Sequence, residues 1–309
     1  MKNPTIIFFG TPEFAIPALQ SLIEHGHTPV VVTAPDKPQG RKKILAASPV
    51  KAVAEASHCT VLTPETMNDV RALVKSISPD ICIIIAFGKI IPADILAIPK
   101  YGFVNIHPSL LPKYRGPSPI QTALLNGENQ TGVSFMVIDE KVDHGPVIAT
   151  APYDIPPDAY YSDVERDLSL LGAELLLKTL PLYLESSSTP VAQDDAEATE
   201  TKKFTLDDGK ISWRRPAEMI FNQIRALSHE PSVWTLWNGK VLKIFKARIL
   251  HAVPGNEIPG AVVQFGSDVS VRTGSQYLLL EKIQLQGSRP MTAADFCSGH
   301  PDFIGSTLS

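Results

Sequence analysis

The stretch Phe103-Val104-Asn105-Ile106-His107-Pro108-Ser109-Leu110-Leu111-Pro112-Lys113-Tyr114-Arg115-Gly116 decides how the N-terminal half of the chain folds. Side chains alternate across a strand, so Val104 and Ile106 make an apolar face while Asn105 and His107 point the other way. Pro108 has no N–H with which to continue a ladder, which predicts that the strand stops at His107 and turns there. Open α/β sheets bind ligands outside the carboxyl ends of their strands, so an amide and an imidazole at that end stand where chemistry is done.

Upstream, the run 81–86 is continuous, apolar and largely branched, as a strand buried on both faces requires. Residues 5–9 read as another buried strand, followed by a helix over 14–25 closed by Gly26 and a strand over 29–33. Ser48-Pro49 opens a helix to about residue 57, with serine as cap and proline in the first turn, and a further helix is predicted over 68–76. This alternation predicts an α/β protein with a doubly wound, Rossmann-like, mostly parallel sheet and right-handed crossovers. The turn after the first strand holds the single glycine Gly10, so the G-x-G-x-x-G fingerprint is absent, which counts against a nicotinamide or flavin enzyme.

Downstream, Ser118 is placed to cap a helix over 119–125. A strand over 133–138 leads to Asp143 and His144 in a turn and then to a return strand from Val147. Asp143 reaches His107 if the two strands are neighbours. Ser162-x-x-Glu165 has the form of a capping box for a long helix to about residue 184.

The segment 34–43 has two prolines and a glycine, the composition of an exposed loop. It carries Lys37, Arg41, Lys42 and Lys43 against Asp36 alone. Most charge runs are only solvated, but one that leaves the carboxyl end of the second strand overhangs the crevice of His107 and can hold phosphate.

Residues 185–201 are rich in Ser, Thr, Asp and Glu with no apolar period, which predicts a linker: a catalytic domain over 1–184, a linker over 185–206 and a second domain over 207–309. Within 207–309 a single helix over 216–227 is expected among five short strands, 233–237 and 241–248 around an Asn238-Gly239 hairpin turn, then 261–265, 269–272 and 277–285. These predict a second, smaller OB-like β-barrel, a fold that often binds nucleic acid.

Composition narrows the classes further. A chain of 309 residues with 44% hydrophobic and 19% charged side chains is not a disordered one. Its longest apolar run, 81–87, is far short of the ~20 residues of a membrane helix, and the apolar start is too brief for a secretory signal, so the cytoplasm is expected. Cys59, Cys82 and Cys297 are distant and odd in number, which predicts buried thiols and no disulfide. No histidine spacing suggests a metal site. Residues 207–309 carry 11 Lys/Arg against 9 Asp/Glu, +2 within a net −4, which permits a polyanionic partner without demanding one.

Asn105-Ile106-His107-Pro108-Ser109-Leu110-Leu111-Pro112, with Asp143 beyond it, resembles the signature of the folate-dependent formyltransferases. Phe9-Gly10-Thr11-Pro12-Glu13-Phe14, the basic segment from Pro35 to Lys42 and the linker-plus-barrel tail resemble the branch of that family which formylates initiator methionyl-tRNA. The second domain departs from the branch at Ser228-His229-Glu230-Pro231-Ser232-Val233-Trp234, where a Pro-Trp-Pro-like segment is usual.

The resemblance implies transfer of a formyl group from 10-formyltetrahydrofolate to the α-amino group of an esterified methionine, by a cytoplasmic monomer that uses no metal. It implies that Asn105 donates to the carbonyl oxygen and that His107, oriented by Asp143, relays the proton of the amine. It further implies folate contacts from Ser109, Leu110, Leu111 and Pro112, a methionine-side pocket from Phe9, Gly10, Thr11, Pro12 and Phe14, and tRNA contacts from Lys37, Arg41, Lys42 and Lys43. The alternatives are a formyltransferase acting on a sugar nucleotide or other small amine, and a non-catalytic RNA-binding protein. The basic segment counts against the first, the intact Asn105, His107 and Asp143 against the second.

Overall fold

The structure is a computed structural model that describes residues 3–39, 44–252 and 255–309. Two compact units emerge. The first takes the chain up to Pro119 with Gln130–Asp154 and Glu165–Thr201; the second takes Ile120–Asn129, Ile155–Val164 and Lys202–Ser309.

Up to residue 184 the elements are β1 (Ile6–Gly10), α1 (Ile16–Glu24), β2 (Val30–Val32), β3 (Lys37–Gln39), β4 (Ile44–Ala46), α2 (Pro49–Ala56), β5 (Val61–Leu62), α3 (Met67–Ile77), β6 (Ile81–Ile85), α4 (Ala93–Leu96), β7 (Phe103–His107), α5 (Pro119–Leu125), β8 (Gln130–Val137), β9 (Val147–Asp154) and α6 (Tyr161–Leu184). The first unit is organised on a seven-stranded sheet of order β5-β2-β1-β6-β7-β8-β9. Its first five strands run parallel, β8 pairs antiparallel with β7 and β9 antiparallel with β8, the Rossmann-like, mostly parallel arrangement that the alternation of elements predicts. Strand order reverses between β1 and β6, and a crevice opens at the carboxyl ends of strands at such a switch point.

Local chemistry explains the boundaries. β1 and β6 are buried at every residue, as continuous apolar strands in a covered parallel sheet must be. Ser48 caps α2 by accepting from Lys51 N–H at 3.1 Å, with Pro49 in the first turn. In α3, Thr66 and Asp69 bond reciprocally as a capping box and start the helix one residue before the predicted Asn68. The long helix α6 begins at Tyr161 rather than after Ser162, because the Asp163 carboxylate accepts from Tyr160 N–H at 3.0 Å. Phe9 lies at the centre of the core, its ring 5.2 Å from that of Phe87 and 5.7 Å from that of Phe103. Of the three free cysteines only Cys82 is buried; Cys59 and Cys297 are half-buried. Burial pushes all three thiols up.

The segment expected as an exposed loop is partly a hairpin: Lys37 lies opposite Ala46, Pro38 opposite Leu45 and Gln39 opposite Ile44. A two-stranded ribbon consists of edges, where proline is tolerated, and its loop-like composition hid it. Lys37 is exposed, and Asp36 pairs with Lys51 of α2 at 2.8 Å. Arg41, Lys42 and Lys43 lie outside the described residues.

The second unit contains α7 (Ala217–Leu227), β10 (Trp234–Trp237), β11 (Lys240–Leu250), β12 (Val262–Phe265), β13 (Asp268–Arg272), β14 (Tyr277–Leu285), β15 (Met291–Thr292) and α8 (Ala293–Gly299). The antiparallel sheet has the order β10-β11-β14-β13-β12, with β15 on β14. Asn238 and Gly239 both take positive φ, 48° and 73°, the pair of left-handed residues that a two-residue hairpin turn needs. Residues 305–309 bond to both edges of this sheet, Gly305 N–H to Val262 O at 2.9 Å and Leu236 N–H to Ser309 O at 2.8 Å. Sequence reading missed α8. Thr292 caps it by accepting from Asp295 N–H at 3.1 Å, and Phe296 stacks its edge on Trp237 at 5.4 Å, one aromatic anchor being too little for an apolar period. No helix among the described residues is long and apolar enough to cross a membrane.

Candidate active site

The carboxyl end of β7 carries the polar pair. β7 pairs antiparallel with β8, His107 opposite Ser134, and β8 leads into the turn that bears Asp143. The His107 side chain is buried, and its Nε2 lies 2.9 Å from the main-chain oxygen of Tyr114. A carbonyl oxygen can only accept, so Nε2 carries a proton. The other nitrogen, Nδ1, is 3.6 Å from Asp143 Oδ2, too long for a hydrogen bond but close enough for strong ion-pair attraction once the ring is charged. Asp143 Oδ2 also accepts from Gly116 N–H at 2.8 Å. Asn105, two residues back along β7, is half-buried, and its amide bonds to no described group.

The loop after β7 is fixed from within. Ser109 is fully buried; its hydroxyl donates to Lys113 O at 2.6 Å and its main-chain oxygen accepts from Ser134 Oγ at 2.7 Å. Ser134 Oγ in turn accepts from Leu111 N–H at 3.0 Å. The Ser109 hydroxyl thus shapes the loop instead of standing open to a ligand. Leu111 is buried, while Leu110 and Pro112 keep partial exposure. Leu110 lies over Gly132, where a Cβ would come 2.6 Å from Leu110 Cδ2.

The motif after β1 divides as well. Phe9 is a core residue and Phe14 is buried, so neither ring stands open as a pocket wall. Gly10 is required by space, since a Cβ there would meet Ala15 Cβ and Phe8 Cε1, each at 2.9 Å. Thr11 is half-buried, with Oγ1 enclosed and without a hydrogen-bond partner among the described residues, and Pro12 is exposed. Of the residues expected to hold tRNA, Lys37 stands on β3 and the other three lie outside the described residues.

Residues 3–180 match the family model described as Formyl transferase, and residues 203–301 the one described as Formyl transferase, C-terminal domain. The chain belongs to the formyl transferase family. A methionyl-tRNA formyltransferase of Roseiflexus castenholzii is 43% identical to it over 95% of both chains. Among solved structures, methionyl-tRNA formyltransferase from Clostridium thermocellum covers 87% of this chain and 99% of its own, at 20% identity and a TM-score of 0.57. HypX from Aquifex aeolicus in complex with tetrahydrofolic acid covers 98% of this chain and 48% of its own, at 17% identity and a TM-score of 0.68. Both of these structural likenesses are of fold.

Around this candidate site runs a segment that composition reads as linker. Val191 forms an antiparallel bridge with Val147, and Arg115 and Glu200 form a parallel one. Arg115, buried, donates to Gln193 Oε1 at 3.0 Å and to Asp195 at 2.9 Å. This guanidinium holds the Asp195 carboxyl below the usual carboxylate range, with His144, 3.5 Å away, adding to the effect. These contacts join polar side chains to backbone and to one buried arginine, a pattern with no periodicity for sequence reading to detect.

Proposed function

We propose that this enzyme transfers the formyl group of 10-formyltetrahydrofolate to the α-amino group of methionine on initiator methionyl-tRNA, as a cytoplasmic monomer that serves translation initiation. The carrying observation is the convergence, at the carboxyl end of β7, of an amide donor without a partner among the described residues and an imidazole whose Nδ1 lies 3.6 Å from a carboxylate. The relatives named above support the acceptor.

The residues of the crevice fit a folate donor. The Asn105 amide has no partner among the described residues, and the partly exposed Leu110 and Pro112 offer apolar surface on a loop pinned by Ser109 and Ser134. When bound, the folate supplies a formyl group activated on nitrogen. Leu110, Leu111 and Pro112 hold it against β7, with Ser109 acting through the shape of the loop. Thr11 and Pro12 stand on the methionine side, and Lys37 with Arg41, Lys42 and Lys43 holds acceptor-end phosphates.

Asn105 donates its amide hydrogens to the formyl oxygen as that atom gains charge, a contribution on the order of 3 kcal/mol for one such donor. His107 keeps its Nε2 proton on Tyr114 O, so the proton given up by the attacking amine is taken at Nδ1. Asp143 stabilises the imidazolium so formed, and the same proton is then available to the leaving nitrogen.

The test offers the purified enzyme 10-formyltetrahydrofolate with either charged initiator tRNA or a nucleotide-linked amino sugar. Formyl-methionine on the tRNA is expected, and none on the sugar. Formylation of the sugar alone, or of neither, overturns the proposal.

A further inference from the structure

Residues 191–201 reach the site from two directions. Gln193 Nε2 donates to the main-chain oxygens of Asp143 at 2.9 Å and of Gly145 at 2.8 Å, on either side of His144, while its Oε1 accepts from Arg115 Nε at 3.0 Å. The amide is satisfied at both ends and grips the turn that carries Asp143. Thr199 works on the opposite side: its Oγ1 accepts from Tyr114 N–H at 2.8 Å and its main-chain oxygen from Arg115 N–H at 2.8 Å. Thr201 N–H adds a bond to Arg115 O at 2.7 Å.

The two residues so held, Asp143 and Tyr114, are the ones that face the two ring nitrogens of His107. Both adopt positive φ, 48° and 61°. Non-glycine residues, bulky tyrosine above all, keep that conformation only where the surroundings over-determine it. Without its external bonds each would tend to relax, and the imidazole would lose its aim.

We propose that segment 191–201 is a positioning element of the active site, Gln193 setting Asp143 and Thr199 setting Tyr114, so that His107 is aimed from both of its nitrogens by residues that follow the long helix α6. The proposal rests on the reading of His107 and Asp143 as the proton relay. A misplacement of about 1 Å in such a constellation costs on the order of 100-fold in rate, and partial loss of aim correspondingly less.

The experiment is a double-mutant cycle in formyl transfer to initiator methionyl-tRNA. Gln193→Met keeps the volume and removes all three hydrogen bonds. It should lower kcat about 10-fold with both KM values unchanged, but less than about 2-fold when built on Asp143→Asn, where no carboxylate remains to be aimed. Equal fold-losses in the two backgrounds overturn the proposal, as does normal kcat in Gln193→Met. Thr199 gives an independent arm: Thr199→Val should lower kcat and Thr199→Ser restore it, because the hydroxyl is what Tyr114 N–H needs. Equal activity of the Val and Ser variants counts against the proposal, whether or not Gln193→Met folds. Normal turnover by Asp143→Asn alone overturns the relay reading itself, and with it the proposal.

Discussion

His107 Nε2 meets the main-chain oxygen of Tyr114 at 2.9 Å, and the opposite ring nitrogen, Nδ1, meets Asp143 at 3.6 Å. Nε2 therefore donates to a carbonyl that can only accept, and Nδ1 is the nitrogen that faces the carboxylate. Replacing His107 by Ala, or Asp143 by Asn, should lower kcat by ~100-fold or more with the protein still folded, the usual contribution of a positioned proton-transfer group. Steady-state kinetics checks this; near-normal turnover in a folded variant removes that residue from the mechanism.

Asn105 makes the sharper contrast. Asn105→Ala loses a donor and should cost ~100-fold in kcat, whereas Asn105→Asp sets a negative charge against the developing oxyanion and should cost more. An Asn105→Asp enzyme as active as Asn105→Ala contradicts the oxyanion role.

Gly145 closes the turn that carries Asp143. A Cβ there would lie 1.9 Å from Val137 O and 3.2 Å from Asp139 N, so Gly145→Ala must displace backbone. The expected outcome is a loss of at least ~1 kcal/mol in denaturant unfolding together with reduced kcat. An alanine variant equal to the parent in both would show that the turn yields without moving Asp143.

Much of the fold is legible in the sequence, as is the nearness of His107 to Asp143 in the candidate site, and for physical reasons. Strands such as Ile81–Ile85, buried at every residue, announce themselves as continuous apolar runs, and proline after His107 fixes where the polar pair sits. Asp143 can be named because β7 and β8 are neighbours, which the order of elements implies. What stays hidden depends on single contacts rather than on period. Ser109 reads as a ligand residue until its hydroxyl is seen donating to Lys113 O at 2.6 Å. Phe9 sits in a motif yet packs on Phe87 and Phe103, because a residue inside a parallel strand is covered on both faces. Gln193 and Thr199 carry no pattern, since a side chain that bonds to distant backbone obeys no spacing.

In the second unit, Asp208 accepts from Thr205 N–H at 2.8 Å and pairs with Lys202. Lys202 first, then the Thr205 bonds, hold its carboxyl down at about 2. A carboxyl lower in the folded than in the unfolded chain, where it lies near ~3.9, adds stability above that value and loses it as pH falls towards about 2. The stability difference between parent and Asp208→Asn should therefore be full above pH ~4 and shrink below it. Denaturant unfolding at several pH values checks this, and a difference independent of pH contradicts it.

The basic segment around β3 offers a test by salt. If Arg41 contacts tRNA phosphate, Arg41→Ala should raise KM for tRNA and reduce the slope of log affinity against log salt by about 0.7 to 0.9, leaving folate KM unchanged. A parent-like KM and slope would mean that the charge there is only solvated.

The most direct measurement compares kcat/KM for formyl transfer from 10-formyltetrahydrofolate to initiator methionyl-tRNA, elongator methionyl-tRNA and free methionine in one preparation. Initiator methionyl-tRNA should be by far the best acceptor, with elongator methionyl-tRNA well below it and free methionine barely used. Free methionine as the best acceptor, or no discrimination among the three, would contradict the assignment.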